Sequence, residues 1–336
     1  MRRPPRSPPV SGARAARRPA RSPSSPPSSA ARPAVAVSRD VEIIGAAIGC
    51  GARDPRCEYG PDVLREWGLA TRLARLGCNA HWGSQLYPHY GAHRSEPEAI
   101  VPEFATRLML AVAASRLRGK FPLVVGGDHS CGIGTWSGVH RVLWREGPLG
   151  LVWIDAHMDS HTPETTPSGA LHGMPMAALL GYGDPRLVHL GGIQVKLAPR
   201  QVCLVGVRSF ERGEAALLAR LGVRVYFAEE VRRRGMREVL AEAAAIAQAG
   251  TIGFGVSIDL DAIDPQDAPA VGSPVNGGIR AADLVEALGT LRDNPRLLAL
   301  EIAEYNPFLD PSRSTAGLLL EIAAAVVAPA AARLAA

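Results

Sequence analysis

A short apolar run in the middle of the chain most constrains its fold. The segment LVWI at residues 151–154 contains no polar residue, and such a run predicts a strand that is buried on both faces. Directly after it come Asp155, His157 and Asp159, which occupy every second position. In an extended backbone these side chains point the same way, so two carboxylates and an imidazole converge at the strand end.

Other apolar segments alternate with helical ones along the chain. Strands are predicted at residues 41–48, 121–125, 151–154, 201–207, 223–227, 251–258 and 297–302. The helices between them include one from Pro61 to Leu76 and a long one opened by Pro102, because proline is well placed in a first turn. This alternation predicts an α/β fold with a parallel sheet that is covered on both faces, in one domain over residues 38–336.

Residues 1–37 differ from the rest in composition. They contain eight arginines and no acidic residue, with many prolines and serines, and we expect a disordered extension because they offer little to bury. A transit peptide is the alternative, although the prolines oppose an amphipathic helix. Removing these eight charges from the net charge of +5 leaves −3 for the remaining chain, so nucleic acid is not an expected partner.

Two further features bear on location. No run of eighteen apolar residues occurs, so we expect neither a membrane span nor a membrane partner. The five cysteines are irregularly spaced and form no C-x-x-C pair. Without a secretion signal, this pattern predicts reduced thiols in a cytoplasmic protein.

Polar clusters also follow two other predicted strands, at the carboxyl ends where α/β sheets bind ligands. In GGDHS at residues 126–130 the two glycines allow a sharp turn before His129. Asp259 and Asp261 follow the strand at 251–258. Four buried aspartates would repel one another unless cations paired with them, and two divalent ions balance four carboxylates. Carboxylates mixed with imidazole suit manganese, with zinc, iron, cobalt and nickel as alternatives.

Four motifs in this order resemble the ureohydrolases, the family of arginase and agmatinase. They are GGDHS at 126–130, DAHMD at 155–159, SGALHG at 168–173 and SIDLDAIDP at 257–265. The resemblance implies a catalytic domain over residues 38–336 with an arginase-like, three-layer α/β/α sandwich around an eight-stranded parallel sheet. It also implies two Mn²⁺ ions per subunit and a homo-oligomer, either a trimer or a hexamer.

The same resemblance assigns the metal ligands. The first ion would be held by His129, Asp155, Asp159 and Asp259. The second would be held by Asp155, His157, Asp259 and Asp261, so that Asp155 and Asp259 bridge the two ions.

The resemblance also implies catalytic roles. A water shared by two ions would supply a metal-bridging hydroxide that attacks the guanidinium carbon. Asp159 would relay its proton to the leaving nitrogen, and His172 would shuttle protons with solvent. Glu304, in the segment LEIAEYNP, would pair with the guanidinium of the substrate.

The residues that would contact the rest of the substrate are most similar to those of arginases. Ser168 stands where arginases bind the α-carboxylate, and Glu211 and Glu214 stand on the stretch that reaches the amino group. His161 and Ala170, however, each replace an asparagine of the arginase pattern. A histidine can donate to a carboxylate or reshape the pocket for a different tail.

The resulting hypothesis is hydrolysis of L-arginine to L-ornithine and urea. An agmatinase or a guanidino-acid hydrolase, for example one acting on 4-guanidinobutyrate, is the alternative within the class. A non-catalytic regulatory relative is a further alternative, against which the full set of six ligand positions argues. The same double set of ligands disfavours a deacetylase, which usually needs a single metal site.

Overall fold

A computed structural model describes residues 39–90 and 96–329 of the chain. The predicted disordered extension at residues 1–37 lies outside the described residues. The described strands are β1 Asp40–Ala46, β2 Asn79–Leu86, β3 Phe121–Gly126, β4 Leu149–Ile154, β5 Leu197–Val207, β6 Arg224–Phe227, β7 Gly253–Asp259 and β8 Leu297–Ala303. They form one sheet in the order β2-β1-β3-β8-β7-β4-β5-β6, and every pairing is parallel.

Helices connect these strands. They are α1 Gly60–Glu66, α2 Leu69–Arg75, α3 Pro97–Leu117, α4 Cys131–Leu143, α5 Pro175–Leu179, α6 Pro185–Val188, α7 Arg212–Leu221, α8 Ala228–Arg234, α9 Met236–Gln248, α10 Ala281–Gly289 and α11 Ser314–Val327. Short 3₁₀ turns occupy Pro55–Tyr59, Leu171–Gly173, Leu190–Gly192, Leu260–Ala262 and Pro307–Leu309. None of the described helices has the length and apolar character that crossing a bilayer demands.

The sheet carries a hydrophobic core on each face, as the unbroken apolar strands require. In β4, Val152 and Ile154 pack with α1, α2 and α8–α11, whereas Leu151 and Trp153 pack with α3–α7. All four side chains are fully buried. This confirms the predicted three-layer α/β/α sandwich around an eight-stranded parallel sheet.

Strand β2 was not predicted from the residue pattern. Its sequence, NAHWGSQL, has no apolar run, and none of its residues is buried. Because β2 lies at the edge of the sheet and pairs only with β1, it needs no second hydrophobic face. An edge strand of this kind leaves little trace in the hydrophobic pattern.

Two helix predictions were wrong in their limits. The helix expected from Pro61 to Leu76 is broken at Gly68, whose φ of 81° lies in the left-handed region that favours glycine. The long helix α3 begins at Pro97 rather than at Pro102. Pro97 already occupies the first turn, and burial of Ile100 in the added turn extends the packing face.

Candidate metal centre and substrate pocket

The candidate site lies at the carboxyl ends of four neighbouring strands, β3, β8, β7 and β4. Asp155 directly follows β4, Asp259 ends β7, and Glu304 directly follows β8. His129 follows β3 after a turn in which Gly127 packs against the end of β1. A Cβ atom on Gly127 would lie 1.8 Å from the carbonyl oxygen of Ile48, so only glycine fits there.

One group of polar atoms surrounds the Nδ1 atom of His129. This nitrogen lies 3.3 Å from Oδ2 of Asp155, 3.3 Å from Oδ2 of Asp159 and 3.1 Å from Oδ2 of Asp259. The ligand atoms of His129, Asp155 and Asp259 all lie within 4.8 Å of one another. The four side chains are buried, so a cation placed among them would be shielded from water.

A second group adjoins the first through Asp155. His157 Nδ1 lies 3.4 Å from Oδ1 of Asp155 and 3.1 Å from Oδ2 of Asp261. These three residues also offer ligand atoms within 4.8 Å of one another. Asp155 therefore turns one oxygen to each group, and the arrangement could hold two ions that share this carboxylate.

Two buried atoms test whether these residues fit metal ions. Nδ1 of His129 and Oδ2 of Asp159 have no hydrogen-bond partner among the described residues, although they are buried. Buried polar atoms are normally hydrogen-bonded, and an ion is one of the few partners that accounts for an exception. Carboxylates with imidazoles are a usual donor set for divalent transition metals. The residues present therefore fit bound divalent ions.

The other side of His129 is fixed by a chain of hydrogen bonds. The hydroxyl of Ser257 donates to Oε2 of Glu301 across 2.8 Å and lies 3.0 Å from Nε2 of His129. With its proton given to Glu301, Ser257 can only accept from Nε2–H. The neutral imidazole then presents the Nδ1 lone pair to the ligand group, as a metal-binding histidine must.

Trp153 of β4 contacts two of the predicted ligands, His129 and Asp155. Its ring stacks on the His129 imidazole with the centroids 4.0 Å apart, and its indole N–H donates to Oδ2 of Asp155 across 2.9 Å. Both contacts limit the rotation of a ligand side chain. The apolar strand thus orients two predicted ligands as well as forming the core.

Burial and mutual repulsion make the unneutralised cluster unfavourable. Burial raises the pKa of Asp159 to about 7, and the charge of Asp155 adds to the rise. The pKa of Asp259 is raised well above its ordinary value by burial and by the charges of Asp261 and Asp155. Divalent cations would remove this repulsion.

The histidines respond in the opposite sense. Burial alone would lower the pKa of His129, but its contacts with the surrounding aspartates raise it well above the ordinary value. Burial likewise lowers the pKa of His157, but the charges and hydrogen bonds of Asp261 and Asp155 together outweigh burial and raise it. The site therefore attracts cations, whether these are protons or metal ions.

Glu304 occupies the wall of the site. Its Oε1 accepts the backbone N–H of His129 across 3.1 Å and Nδ1–H of His172 across 3.0 Å. Burial opposes ionisation, but the hydrogen bond and charge of His172, with the hydrogen bonds from Cys57 and the backbone of His129, together outweigh burial and lower the pKa of Glu304. In return, Glu304 overcomes the effect of burial on His172 and raises its pKa to about 9. Glu304 is therefore a buried anion.

The backbone is strained at two of these residues. Asp159 and Glu304 have φ values of 48° and 67°, and Arg313 is the one other described non-glycine residue with positive φ. Left-handed backbone is unfavourable for residues other than glycine, and such strain clusters at functional sites.

A cavity of about 500 Å³ opens above the candidate metal groups. Its lining contains ten of the predicted site residues: His157, Asp159, His161, Ser168, His172, Glu211, Glu214, Asp259, Asp261 and Glu304. His129 and Asp155 lie beneath it, among the residues with no more than 1% exposed side chain. The structure therefore brings all twelve predicted site residues together. The cavity volume suits a small-molecule substrate.

His161 has both ring nitrogens engaged. Nδ1 lies 3.1 Å from Oγ1 of Thr165, and Nε2 lies 2.9 Å from Oε2 of Glu211 and 3.4 Å from Oε2 of Glu214. Glu211 and Glu214 in turn form the capping box that starts α7. His161 thus contacts the two glutamates. Of the two roles that the sequence left open for it, donation to a substrate carboxylate and reshaping of the pocket, these contacts favour the second.

Sequence reasoning missed several residues that shape the site. Cys57 has a buried thiol that lies 3.2 Å from Oε2 of Glu304, and Ser257 and Glu301 position His129. Asp128 accepts the backbone N–H of Gly51 across 2.8 Å and so fixes the loop after β1. Ser257 begins the SIDLD motif, which was a usable signal, but nothing in the sequence around Cys57 indicated its contact.

A parallel sheet with paired His and Asp groups at its carboxyl edge, beneath a polar cavity, is an arrangement typical of metal-dependent hydrolases. The family model described as "Arginase family" matches residues 39–328, and the chain belongs to the arginase family. It is an enzyme of the ureohydrolase type, which agrees with the resemblance of its motifs.

Individual relatives cover nearly the whole described chain. Arginase from Bacillus caldovelox is 38% identical over 291 residues, covering 84% of this chain and 96% of the relative. The crystal structure of arginase from Bacillus subtilis matches with a TM-score of 0.80 and 33% identity, covering 87% of this chain and 99% of that one. Entamoeba histolytica arginase, in complex with L-ornithine, matches with a TM-score of 0.77 and 27% identity, covering 87% and 99%.

Proposed function

We propose that the protein is an arginase that holds two Mn²⁺ ions and hydrolyses L-arginine to L-ornithine and urea. The observation that carries this proposal is the pair of ligand groups joined through Asp155 at the floor of a cavity walled by the buried anion Glu304. Relatives named arginase, such as the one from Bacillus caldovelox at 38% identity, support the choice of substrate.

Six side chains would hold the ions. His129, Asp155, Asp159 and Asp259 are proposed for the first ion, and Asp155, His157, Asp259 and Asp261 for the second. When bound, such ions would lower the pKa of a coordinated water and so supply a hydroxide nucleophile at neutral pH. Carboxylate-rich donor sets favour Mn²⁺ among the candidate metals.

Glu304 would bind and orient the guanidinium group. A buried carboxylate pairs strongly with a planar cation. Oε1 accepts from His129 and His172, and Oε2 accepts from Cys57 and lies beside Gly272 in the cavity lining. His172 holds a proton at Nδ1 against Glu304 and lines the cavity. From there it would exchange protons with solvent, while Asp159 would carry a proton to the departing nitrogen.

The outer part of the cavity would bind the substrate tail. Glu211 and Glu214 offer carboxylates for an α-ammonium group, and Ser168 offers a hydroxyl on the opposite loop. The relative from Entamoeba histolytica is in complex with L-ornithine, the amino acid that arginine hydrolysis yields. A trimer or hexamer is proposed from the family resemblance alone, and a cytoplasmic location from the irregularly spaced cysteines and the lack of a secretion signal.

One observation favours a second candidate, an agmatinase that acts on a decarboxylated guanidino amine. The residue in place of the arginase asparagine, His161, faces Glu211 and Glu214 rather than offering a free donor. The outer cavity is accordingly acidic, which suits an amine tail. We rank L-arginine first because the relatives that cover most of the chain are arginases.

A substrate panel tests the proposal. The full chain, loaded separately with Mn²⁺, Ni²⁺ and Co²⁺, would be assayed for urea release from L-arginine, agmatine and 4-guanidinobutyrate, with Asp261→Asn as the site-defective control. We expect the highest kcat/KM for L-arginine with Mn²⁺. Urea from agmatine but not from L-arginine would establish the second candidate, and no urea from any substrate would refute both.

A further inference from the structure

The mouth of the cavity carries one positive charge that the proposed chemistry does not use. Among the residues that line the cavity, Arg53 is the only arginine or lysine, whereas seven are aspartate or glutamate. Bound divalent ions would offset the aspartates on the floor. Asp54, Glu211, Glu214 and Glu304 would still face the substrate, and His172 is already paired with Glu304. Arg53 is therefore the one unpaired cationic side chain among the described residues of the lining that could attract a tail carboxylate.

Arg53 is free to bind an anion. It is exposed and has no hydrogen bond or ion pair within residues 39–90 and 96–329. Its neighbour Asp54 is already engaged, because Arg56 binds it through Nε and Nη2 at 2.8 and 2.6 Å and Asn306 donates to it across 3.2 Å. The adjacent carboxylate therefore does not neutralise Arg53.

The loop that carries Arg53 is tied to the walls of the site. Gly51 N–H donates to Asp128 across 2.8 Å, and the carbonyl oxygen of Gly51 accepts from the backbone N–H of His172 across 3.1 Å. The contact between Asp54 and Asn306 attaches the loop to the segment after β8. The backbone of Arg53 is thus fixed beside the cavity, which lowers the ordering cost of binding a ligand. Its side chain is unpaired and so remains available to the ligand.

The remaining candidates for a carboxylate partner are weaker. Both ring nitrogens of His161 are occupied by Thr165 and Glu211. Ser168 is neutral, and its hydroxyl oxygen already accepts the backbone N–H of Ala170 across 3.2 Å. A guanidinium can bind a carboxylate through two parallel hydrogen bonds, which a single hydroxyl cannot do.

We propose that Arg53 binds the carboxylate of the substrate tail and so selects an α-amino acid over the corresponding decarboxylated amine. This inference rests on the proposed function, because it takes the guanidino substrate as given and assigns the residue that recognises its far end. Arg53 would then be the specificity-determining residue. It would provide the hydrogen-bond donor for the carboxylate, because both ring nitrogens of His161 are already engaged.

Kinetic comparison of two substrates tests the inference. Wild type, Arg53→Ala, Arg53→Lys and Arg237→Ala would be assayed with L-arginine and with agmatine, which differ by the carboxylate. Arg237 is an exposed arginine of α9 paired with Glu286, so it controls for the loss of one surface charge. We expect Arg53→Ala to raise KM for L-arginine about tenfold with little change in kcat, to leave KM for agmatine unchanged or lower, and to be partly rescued by lysine.

A binding measurement separates this inference from the proposed reaction. Calorimetric titration of the Mn²⁺-loaded protein with L-ornithine and putrescine, again a pair that differs by the carboxylate, requires no turnover. Weakened binding of L-ornithine alone in Arg53→Ala supports the assignment even if wild type releases no urea. An equal effect on both ligands, or none on either, overturns it even if wild type is an active arginase.

Discussion

Cys57 donates its thiol hydrogen to Oε2 of Glu304 across 3.2 Å. The thiol is fully buried, and burial together with the charge of Glu304 raises the pKa of Cys57 far above its ordinary range. Cys57 therefore stays protonated and remains a donor. Since Oε1 of the same carboxylate accepts from His129 and His172, Glu304 is held from both sides.

Replacing Cys57 should alter guanidinium binding rather than turnover. We expect Cys57→Val to raise KM for the guanidino substrate by about tenfold, since one hydrogen bond to a charged group is lost, while Cys57→Ser stays near wild type. Steady-state kinetics would measure this, with Cys203→Val as the control for a buried core cysteine. A serine variant as impaired as the valine variant would contradict the role of the donor.

The relay from Glu301 through Ser257 to His129 should govern ion affinity. Ser257→Ala removes the acceptor for Nε2–H of His129, so we expect Mn²⁺ affinity to fall by about 10- to 100-fold. Titration of Mn²⁺ against a chromogenic chelator would measure it without reference to activity. Ser312→Ala, at an exposed serine, is the control. An unchanged Mn²⁺ affinity in Ser257→Ala would show that these hydrogen bonds do not govern ion binding.

Removal of metal should make stability depend on pH in a defined direction. The pKa of Asp159 is raised to about 7, and the pKa of His129 is also raised. The metal-free folded protein therefore binds more protons near neutrality than the unfolded chain does. Its stability must therefore fall as pH rises. We expect the Tm of the chelated protein to fall between pH 6.5 and 8, and the Tm of the Mn²⁺-loaded protein to fall much less. If Tm fell equally with rising pH in the chelated and in the Mn²⁺-loaded protein, these carboxylates would not share a metal site.

His140 should give the opposite dependence at lower pH. Burial, with a contribution from the charge of Lys196, lowers the pKa of His140 to about 4. The unfolded state then binds more protons between pH 4 and 6.5, so stability is lost as pH falls through that window. This pKa shift changes the free energy of unfolding by roughly 3 kcal/mol at most.

Urea denaturation at pH 6.5 and 4.5 would test this. We expect His140→Gln to lose less stability than wild type between the two values, whereas His81→Gln, at a more exposed histidine, should behave as wild type. Identical losses in His140→Gln and wild type would refute the assignment.

The fold could be predicted from the sequence where strands are buried on both faces of the sheet. Strands such as β4 consist of apolar residues throughout and leave one interpretation. The edge strand β2 was missed because its half-exposed residues carry no such pattern. The limits of α3 were missed because Pro102 was taken as a start signal, although a proline also occurs five residues earlier, at Pro97.

The site was accessible to the extent that it follows strand ends. Asp155, His157 and Asp159 were predicted to converge because alternate residues of an extended segment share a side. They do lie around the two ligand groups, but the chain bends at residues 156–157 and Asp159 has a φ of 48°, so an extended backbone is not the reason. The contacts of Cys57 and of His161 depend on segments far apart in sequence. No periodicity encodes such distances, so only the folded arrangement reveals them.

The left-handed backbone at Asp159 and Glu304 has a consequence for laboratory evolution. Glycine would adopt these conformations without steric cost, whereas each present residue holds roughly 1–3 kcal/mol of strain. A screen for heat resistance alone, run without substrate or manganese, should therefore enrich glycine at Asp159, whose buried Oδ2 has no hydrogen-bond partner among the described residues. At Glu304 the hydrogen bonds that the carboxylate accepts from Cys57, His129 and His172 oppose the same change. Under the proposed function, the glycine variants at position 159 would be more stable but inactive.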